Sequence, residues 1–72
     1  MNLREAPEHQ PLTIANLQPG SADEERDLRH LGLRSGATIE VLRRTTGGGR
    51  IIAVEGGRVA MGRDLLEQVT VS

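Results

Sequence analysis

Short runs in which apolar and polar residues alternate indicate the fold class of this chain. Such alternation has the period of two that is typical of β-strands with one buried face. The inward-facing pairs that these runs predict are Leu12 and Ile14, Ile39 and Val41, Ile52 and Val54, Val59 and Met61, and Val69 and Val71. Because short strands at close spacing favour a closed sheet, we predict a mainly β fold, a small β-barrel of about five strands. A two-layer sandwich and an open sheet covered by one helix are the alternatives.

Residues 21–32 predict a short helix whose two ends are both marked. Ser21 is a favourable N-cap, and Glu24 three positions later predicts a capping box. At the other end Gly32 suits the left-handed residue that follows a helix, and a Schellman motif there brings Leu28 against Leu33. The residues that we expect to be structural in this stretch and the next turn are Leu28, Leu31, Gly32, Leu33 and Gly36.

Glycine-rich stretches between the runs predict turns. Gly56 and Gly57 separate two alternating runs, which is typical of a two-residue hairpin. The sequence TGGG at 46–49 predicts a loop, and it lacks the Gly-Lys-Ser/Thr ending and the following helix of a phosphate-binding loop. RDLLE at 63–67 predicts one further helical turn, so we expect one or two short helices in all.

The first ten residues are polar and include Pro7, and Pro11 follows them directly. This composition predicts a flexible N-terminal lead-in over residues 1–10 and one domain over residues 11–72. The lead-in lacks the apolar stretch of a signal peptide, and no apolar run is long enough to cross a bilayer. The absence of cysteine fits a reducing compartment. We therefore expect a cytoplasmic protein with no direct membrane insertion.

The absence of Phe, Tyr and Trp excludes several classes of binding site. Single-stranded nucleic acids stack on aromatic rings, and proline-rich peptides bind in grooves lined by them. Nine arginines and ten acidic residues give a net charge of -1, which offers no excess of positive charge to a phosphate backbone. We therefore expect no nucleic-acid partner.

Residues that carry chemistry are sparse in this chain. The sequence contains no arrangement of Ser, His and Asp that predicts a nucleophile, so we expect no enzyme, no catalytic residue and no cofactor. His9 and His30 are the only histidines, and neither belongs to a dense cluster of ligands. They are weak candidates for binding Fe(II) or another divalent metal.

The cations around the predicted helix are the remaining candidates for a functional surface, because arginine is enriched at protein interfaces. We predict a partner-binding surface formed by Arg26, Arg29, His30 and Arg34, supported from beneath by the leucines of the helix. The alternative interpretation is that these side chains are solvated and balanced by nearby acids.

The order of these signals resembles the ferrous iron transport protein A (FeoA) family. The resemblance rests on L-x-x-L-G-L at 28–33, on Gly36 leading into I-x-V-L, and on the closing RVAMGRDLLEQVTV at 58–71. It covers about residues 11–72. The small domain at the C-terminus of metal-dependent transcription repressors is similar to this family.

The resemblance implies an SH3-like β-barrel with a short helix after the first strand. It also implies a small cytoplasmic protein that serves ferrous iron uptake as a monomer or weak dimer. The implied partner is the cytoplasmic G-protein region of the membrane ferrous iron permease, FeoB. The alternative function is a stand-alone regulatory module of the repressor type, with metal-dependent protein interactions.

Overall fold

The alternating runs form five antiparallel strands in the computed structural model, which describes all 72 residues. The strands are β1 (Leu12–Leu17), β2 (Thr38–Arg44), β3 (Arg50–Val54), β4 (Gly57–Met61) and β5 (Val69–Val71). Their order in the sheet is β4-β3-β2-β1-β5. The mainly β prediction is confirmed. The ladder of hydrogen bonds does not close into a complete barrel, because β4 and β5 do not pair.

Two register shifts bend this sheet around a single core. One lies in β1 between Ile14 and Asn16, and the other lies in β2 between Val41 and Arg43. Such bulges bend a strand and increase its twist. The enclosed core contains 15 apolar residues, and it includes every predicted inward-facing residue except Val59, which is half-buried.

The helix α1 (Ala22–His30) follows β1, and the short helix α2 (Arg63–Leu66) precedes β5. The backbone N–H of Glu24 donates to Oγ of Ser21 over 3.1 Å, so the predicted N-cap is confirmed. The reciprocal half of the predicted capping box is wrong: the Glu24 carboxylate accepts from Oγ of Ser21 over 3.4 Å and from Nε2 of Gln68 over 2.9 Å, and not from the N–H of Ser21. None of the helices is long and apolar enough to cross a membrane.

The C-terminus of α1 has the predicted Schellman geometry. The N–H of Leu33 donates to the carbonyl of Leu28 over 3.1 Å, and the N–H of Gly32 donates to the carbonyl of Arg29 over 3.0 Å. Gly32 has a φ of 87° and Gly36 one of 91°, which are left-handed conformations that favour glycine. Leu28 and Leu33 are each 1% exposed, and Leu31 is half-buried.

The hairpin between β3 and β4 turns one residue earlier than Gly56 and Gly57 predict. The turn residues are Glu55 and Gly56, with φ values of 51° and 79°, and Gly57 is already paired with Val54. Two positive φ values in succession are typical of a type I′ turn. The two-residue length is therefore as expected, while its position differs by one residue.

The first ten residues differ from the predicted flexible lead-in. Leu3–Glu5 form a 3₁₀ turn, which Asn2 and Glu5 cap reciprocally through bonds of 3.2 and 3.3 Å. Leu3 is 0% exposed and Ala6 is 2% exposed. The N–H of Val71 donates to the carbonyl of Met1 over 2.8 Å. The segment is held because two apolar side chains three positions apart lie on one side of a 3₁₀ turn and complete the core.

Arg50 is a charged side chain inside this fold, with an exposure of 9%. Its Nη1 donates to the carbonyls of Gly48 and Gly49 over 3.0 and 2.8 Å, and its Nη2 donates to the carbonyl of Arg4 over 3.1 Å. Such bonds offset the cost of burying the charge. Arg50 therefore joins the glycine loop to the N-terminal 3₁₀ turn.

Candidate functional site

A groove runs beside the C-terminal half of α1, between the helix and the end of β1. It is lined by Leu17, Pro19, Glu25, Leu28, Arg29, Leu33, Arg34 and Ser35. Its apolar floor is formed by the half-buried Leu17 and Pro19. Leu28 and Leu33, each 1% exposed, support this floor from beneath, and the Schellman motif holds them there because it brings the chain back against the last turn of the helix. The groove combines this floor with two cations at its rim, an arrangement suited to binding another protein.

The two rim cations differ in what they contact. Arg34 forms an ion pair with Glu55 over 3.3 Å, although both side chains are largely exposed to solvent. Arg29 is exposed and forms no ion pair. Its guanidinium is therefore free to bond a carboxylate of a partner, and guanidinium donors match carboxylate geometry.

The structure separates the four predicted partner-binding residues into two sets. Arg29 and Arg34 line the groove, while Arg26 and His30 do not. Glu25 and Arg29 are four positions apart and share a helix face, and Arg26 and His30 share a face about 100° further around. Arg26 is also held by Asp23 over 3.0 Å. All four are exposed. Because of the helical period, the surface predicted as one cluster is divided into two.

Sequence reasoning missed the part of the groove contributed by β1. Leu17 is half-buried and lies out of phase with Leu12 and Ile14, which the alternation placed inside. The register shift between Ile14 and Asn16 explains the change of phase. An apolar residue out of phase at the end of a run is a sequence signal for such a bulge, and here it marks the groove.

The two histidines lie in different parts of the fold, His9 in the N-terminal segment and His30 at the end of α1. No group of three or more His, Cys, Asp or Glu side chains is close enough to hold a metal ion. His9 has a φ of 60°, and its N–H donates to the carbonyl of Val41 over 2.7 Å. His30 is the last residue of α1. The ligand set on this chain therefore does not fit a resident metal that needs three protein ligands.

Comparison with known proteins places this architecture in a family. The chain matches the FeoA domain model over residues 1–72. It is similar to the crystal structure of an iron uptake regulatory protein (FeoA), with 34% identity, a TM-score of 0.88 and coverage of 99% of this chain and 93% of that chain. No curated protein sequence matches it significantly.

Two further structures have the same fold. FeoA of Stenotrophomonas maltophilia, a procaryotic SH3 domain protein complexed with zinc, is 26% identical, with a TM-score of 0.83 and coverage of 100% of this chain and 89% of that chain. A manganese-dependent transcriptional repressor is 17% identical, with a TM-score of 0.88 over 96% of this chain and 39% of that chain. The repressor shares the fold alone.

These similarities confirm the predicted SH3-like fold and the resemblance read from the sequence. The family match also includes the first ten residues, which the sequence resemblance did not cover. The chain belongs to the FeoA family of SH3-like proteins associated with ferrous iron transport.

Proposed function

We propose that this protein is a small cytoplasmic accessory protein of ferrous iron uptake. It binds and regulates the cytoplasmic G-protein region of the membrane ferrous iron permease, FeoB, and it acts by binding and not as an enzyme. Ferrous iron is the cargo of the permease and not a resident group of this chain. The observation that carries the proposal is the groove beside α1, within a chain of the FeoA family.

The groove supports the proposal through its combination of apolar floor and unpaired charge. Leu28 and Leu33 are held in place beneath Leu17 and Pro19 by the end of the helix, so a partner binds a surface that is already formed. Binding to a formed surface avoids the cost of ordering it. Arg29 adds one cation that forms no ion pair with the protein's own acids. A partner that fits offers an apolar side chain to the floor and a carboxylate to Arg29.

The test is a titration of this protein against the purified G-protein region of the permease, with and without guanine nucleotide. We expect the two proteins to bind. We expect Arg29→Glu to weaken this binding about tenfold, because it replaces one favourable rim contact by repulsion. Arg26→Glu is the matched control, because it makes the same charge change on the same helix outside the groove.

Absence of binding in every nucleotide state, together with normal iron uptake in a strain lacking this protein, would overturn the proposal. Equal weakening by Arg26→Glu and Arg29→Glu would reject the groove as the contact surface. Binding that requires added Fe(II) or Mn(II) would favour the alternative function, a regulatory module with metal-dependent interactions.

A further inference from the structure

The outer edge of β4 carries backbone groups that no part of the chain pairs. β4 is the terminal strand of the sheet, and it pairs only with β3. In an antiparallel ladder, residues alternate between those that bond the neighbouring strand and those that do not. The two-residue turn makes Gly57, Val59 and Met61 the residues whose backbone groups bond β3. The N–H and C=O groups of Arg58 and Ala60 therefore face away from β3.

This edge has few of the features that usually prevent strand addition. β3 and β4 keep one register over five residue pairs, from Arg50 opposite Met61 to Val54 opposite Gly57, without a bulge. β4 contains no proline. Proteins commonly protect such edges with bulges, prolines, charged residues or a covering segment. Here the single device on β4 is the charge of Arg58.

The side chains of β4 define what a strand added there would need. Arg58 is exposed, forms no ion pair, and β4 contains no acid. It lines a shallow recess on the outer face of the sheet with Glu40 and Glu55. Neither carboxylate forms an ion pair with it, and Glu55 pairs with Arg34 instead. On the opposite face Val59 is only half-buried. One face of the edge thus presents a free cation, and the other presents an incompletely covered apolar side chain.

The charge of Arg58 disfavours a second copy of the chain as the occupant. Antiparallel pairing of two β4 strands about Val59 places each Arg58 opposite Ala60 of the other copy. The two Arg58 side chains are then diagonal neighbours, with about 7–8 Å between their backbones. Moving the register so that they lie directly opposite makes the like-charge contact closer. The same side chain attracts a strand that carries a carboxylate.

We infer that the edge of β4 binds an extended segment of a partner protein by strand addition, with a carboxylate facing Arg58 and an apolar side chain against Val59. The backbone groups of Arg58 and Ala60 supply the hydrogen bonds, and alternate side chains supply the selectivity, as in other cases of β-augmentation. The surface is separate from the groove beside α1, since β4 and β1 are not neighbours in the sheet.

The experiment is a titration of the isotope-labelled protein with two synthetic seven-residue peptides, followed by amide NMR. In one peptide Glu alternates with Val, and in the matched control Lys replaces Glu. We expect the Glu peptide to shift the amide signals of Arg58 and Ala60 and to slow their exchange with solvent. The Kd of the Glu peptide should be about fivefold lower than that of the Lys peptide, because one favourable cross-strand pair has an effect of this size.

Two variants separate strand addition from general charge attraction. Arg58→Glu should reverse the order of the two peptides. Ala60→Pro removes an outward N–H without removing a bond to β3, and it should abolish binding of both peptides. If Ala60→Pro does not fold, the reversal by Arg58→Glu decides alone.

Equal effects of both peptides, or no effect at Arg58 and Ala60, would overturn the inference. Concentration-dependent dimerisation that protects these two amides without peptide would also overturn it, in favour of a second copy. The permease takes no part in this experiment, so failure here leaves the proposed function to be decided by its own titration.

Discussion

The two edges of the sheet are treated differently. At β5, the N–H of Val71 donates to the carbonyl of Met1 over 2.8 Å, and Asn2 forms a bridge with Thr70. At β4, the outward backbone groups of Arg58 and Ala60 have no partner in the chain. An unpaired edge is a template for another strand. The chain thus covers one edge with its own first residues and leaves the other available, which limits strand addition to one side of the molecule.

The largest effect is expected from removing the side chain that holds the covering segment in place. Leu3→Ala should lower the free energy of unfolding by about 2–5 kcal/mol, because it leaves a cavity in the core. A domain of this size has only about 3–5 kcal/mol in total, so the variant should be largely unfolded. Val59→Ala at the open edge should cost about 1 kcal/mol, since Val59 is half-buried. Urea denaturation compares the two, and equal small losses would contradict the packing of the first residues.

The next effect concerns Arg50, which connects the covering segment to the strand beside the open edge. Arg50→Met should lower the free energy of unfolding by about 2–3 kcal/mol, because the carbonyls of Gly48, Gly49 and Arg4 lose a charged donor. Arg44→Met is the matched control, since Arg44 lies opposite Arg50 in the ladder and is exposed. Thermal denaturation measures both variants. A Tm for Arg50→Met equal to that of Arg44→Met would show that the buried bonds contribute nothing.

A smaller effect is expected from the cap of the N-terminal 3₁₀ turn. Asn2→Ala removes the side chain that accepts from the N–H of Glu5, and the loss should be about 1 kcal/mol. The amide of Val71, which bonds the same segment, should exchange faster with solvent. Asn16→Ala serves as the control because the Asn16 side chain forms no hydrogen bond in the structure. Unchanged exchange at Val71 in Asn2→Ala would mean that β5 remains covered without the cap.

The smallest effect should come from the turn that leads into the open edge. Glu55 has a φ of 51°, which is unfavourable for Glu, and Asn-Gly is the preferred pair in a type I′ turn. Glu55→Asn should therefore raise the free energy of unfolding by about 0.5 kcal/mol, despite losing the exposed ion pair with Arg34. Denaturation in urea checks this, with Glu67→Asn as the control, because Glu67 is exposed and forms an ion pair with Arg4 but has a φ of -70°. A lower stability would show that the ion pair outweighs the backbone preference.

Alternation in the sequence was sufficient to predict the strands, but it could not choose the register of the last hairpin. A turn at Gly56 and Gly57 places Val54 opposite Val59, whereas the observed turn places Ile52 opposite Val59. Both registers place core-facing residues opposite core-facing residues. The alternation of apolar and polar residues therefore does not distinguish the two registers. The alternation of this one hairpin does not contain the information that selects its register.

The N-terminal segment and the groove show why local patterns reach only part of the fold and the site. Leu3 and Ala6 form too short an apolar pattern to predict an ordered turn within a polar, proline-containing stretch. The spacing of Asn2 and Glu5 is that of a capping box. The sequence identifies Arg29 and Arg34 as partner-binding candidates because they flank a well-marked helix end. Their separation from Arg26 and His30 follows from the helical period, while the contribution of Leu17 depends on a bulge.

The pairing of Met1 with Val71 has a consequence for how the protein is made. Met1 and Asn2 are synthesised well before their partners Val71 and Thr70, so these contacts form only when both ends of the domain are present. At about 5–20 residues per second, some 70 residues take roughly 4–14 s to add. During that time Leu3 has no core to enter, and β1 lacks one of its two neighbours. Folding of this sheet is therefore completed after the domain has been synthesised, and contacts of such long range form slowly.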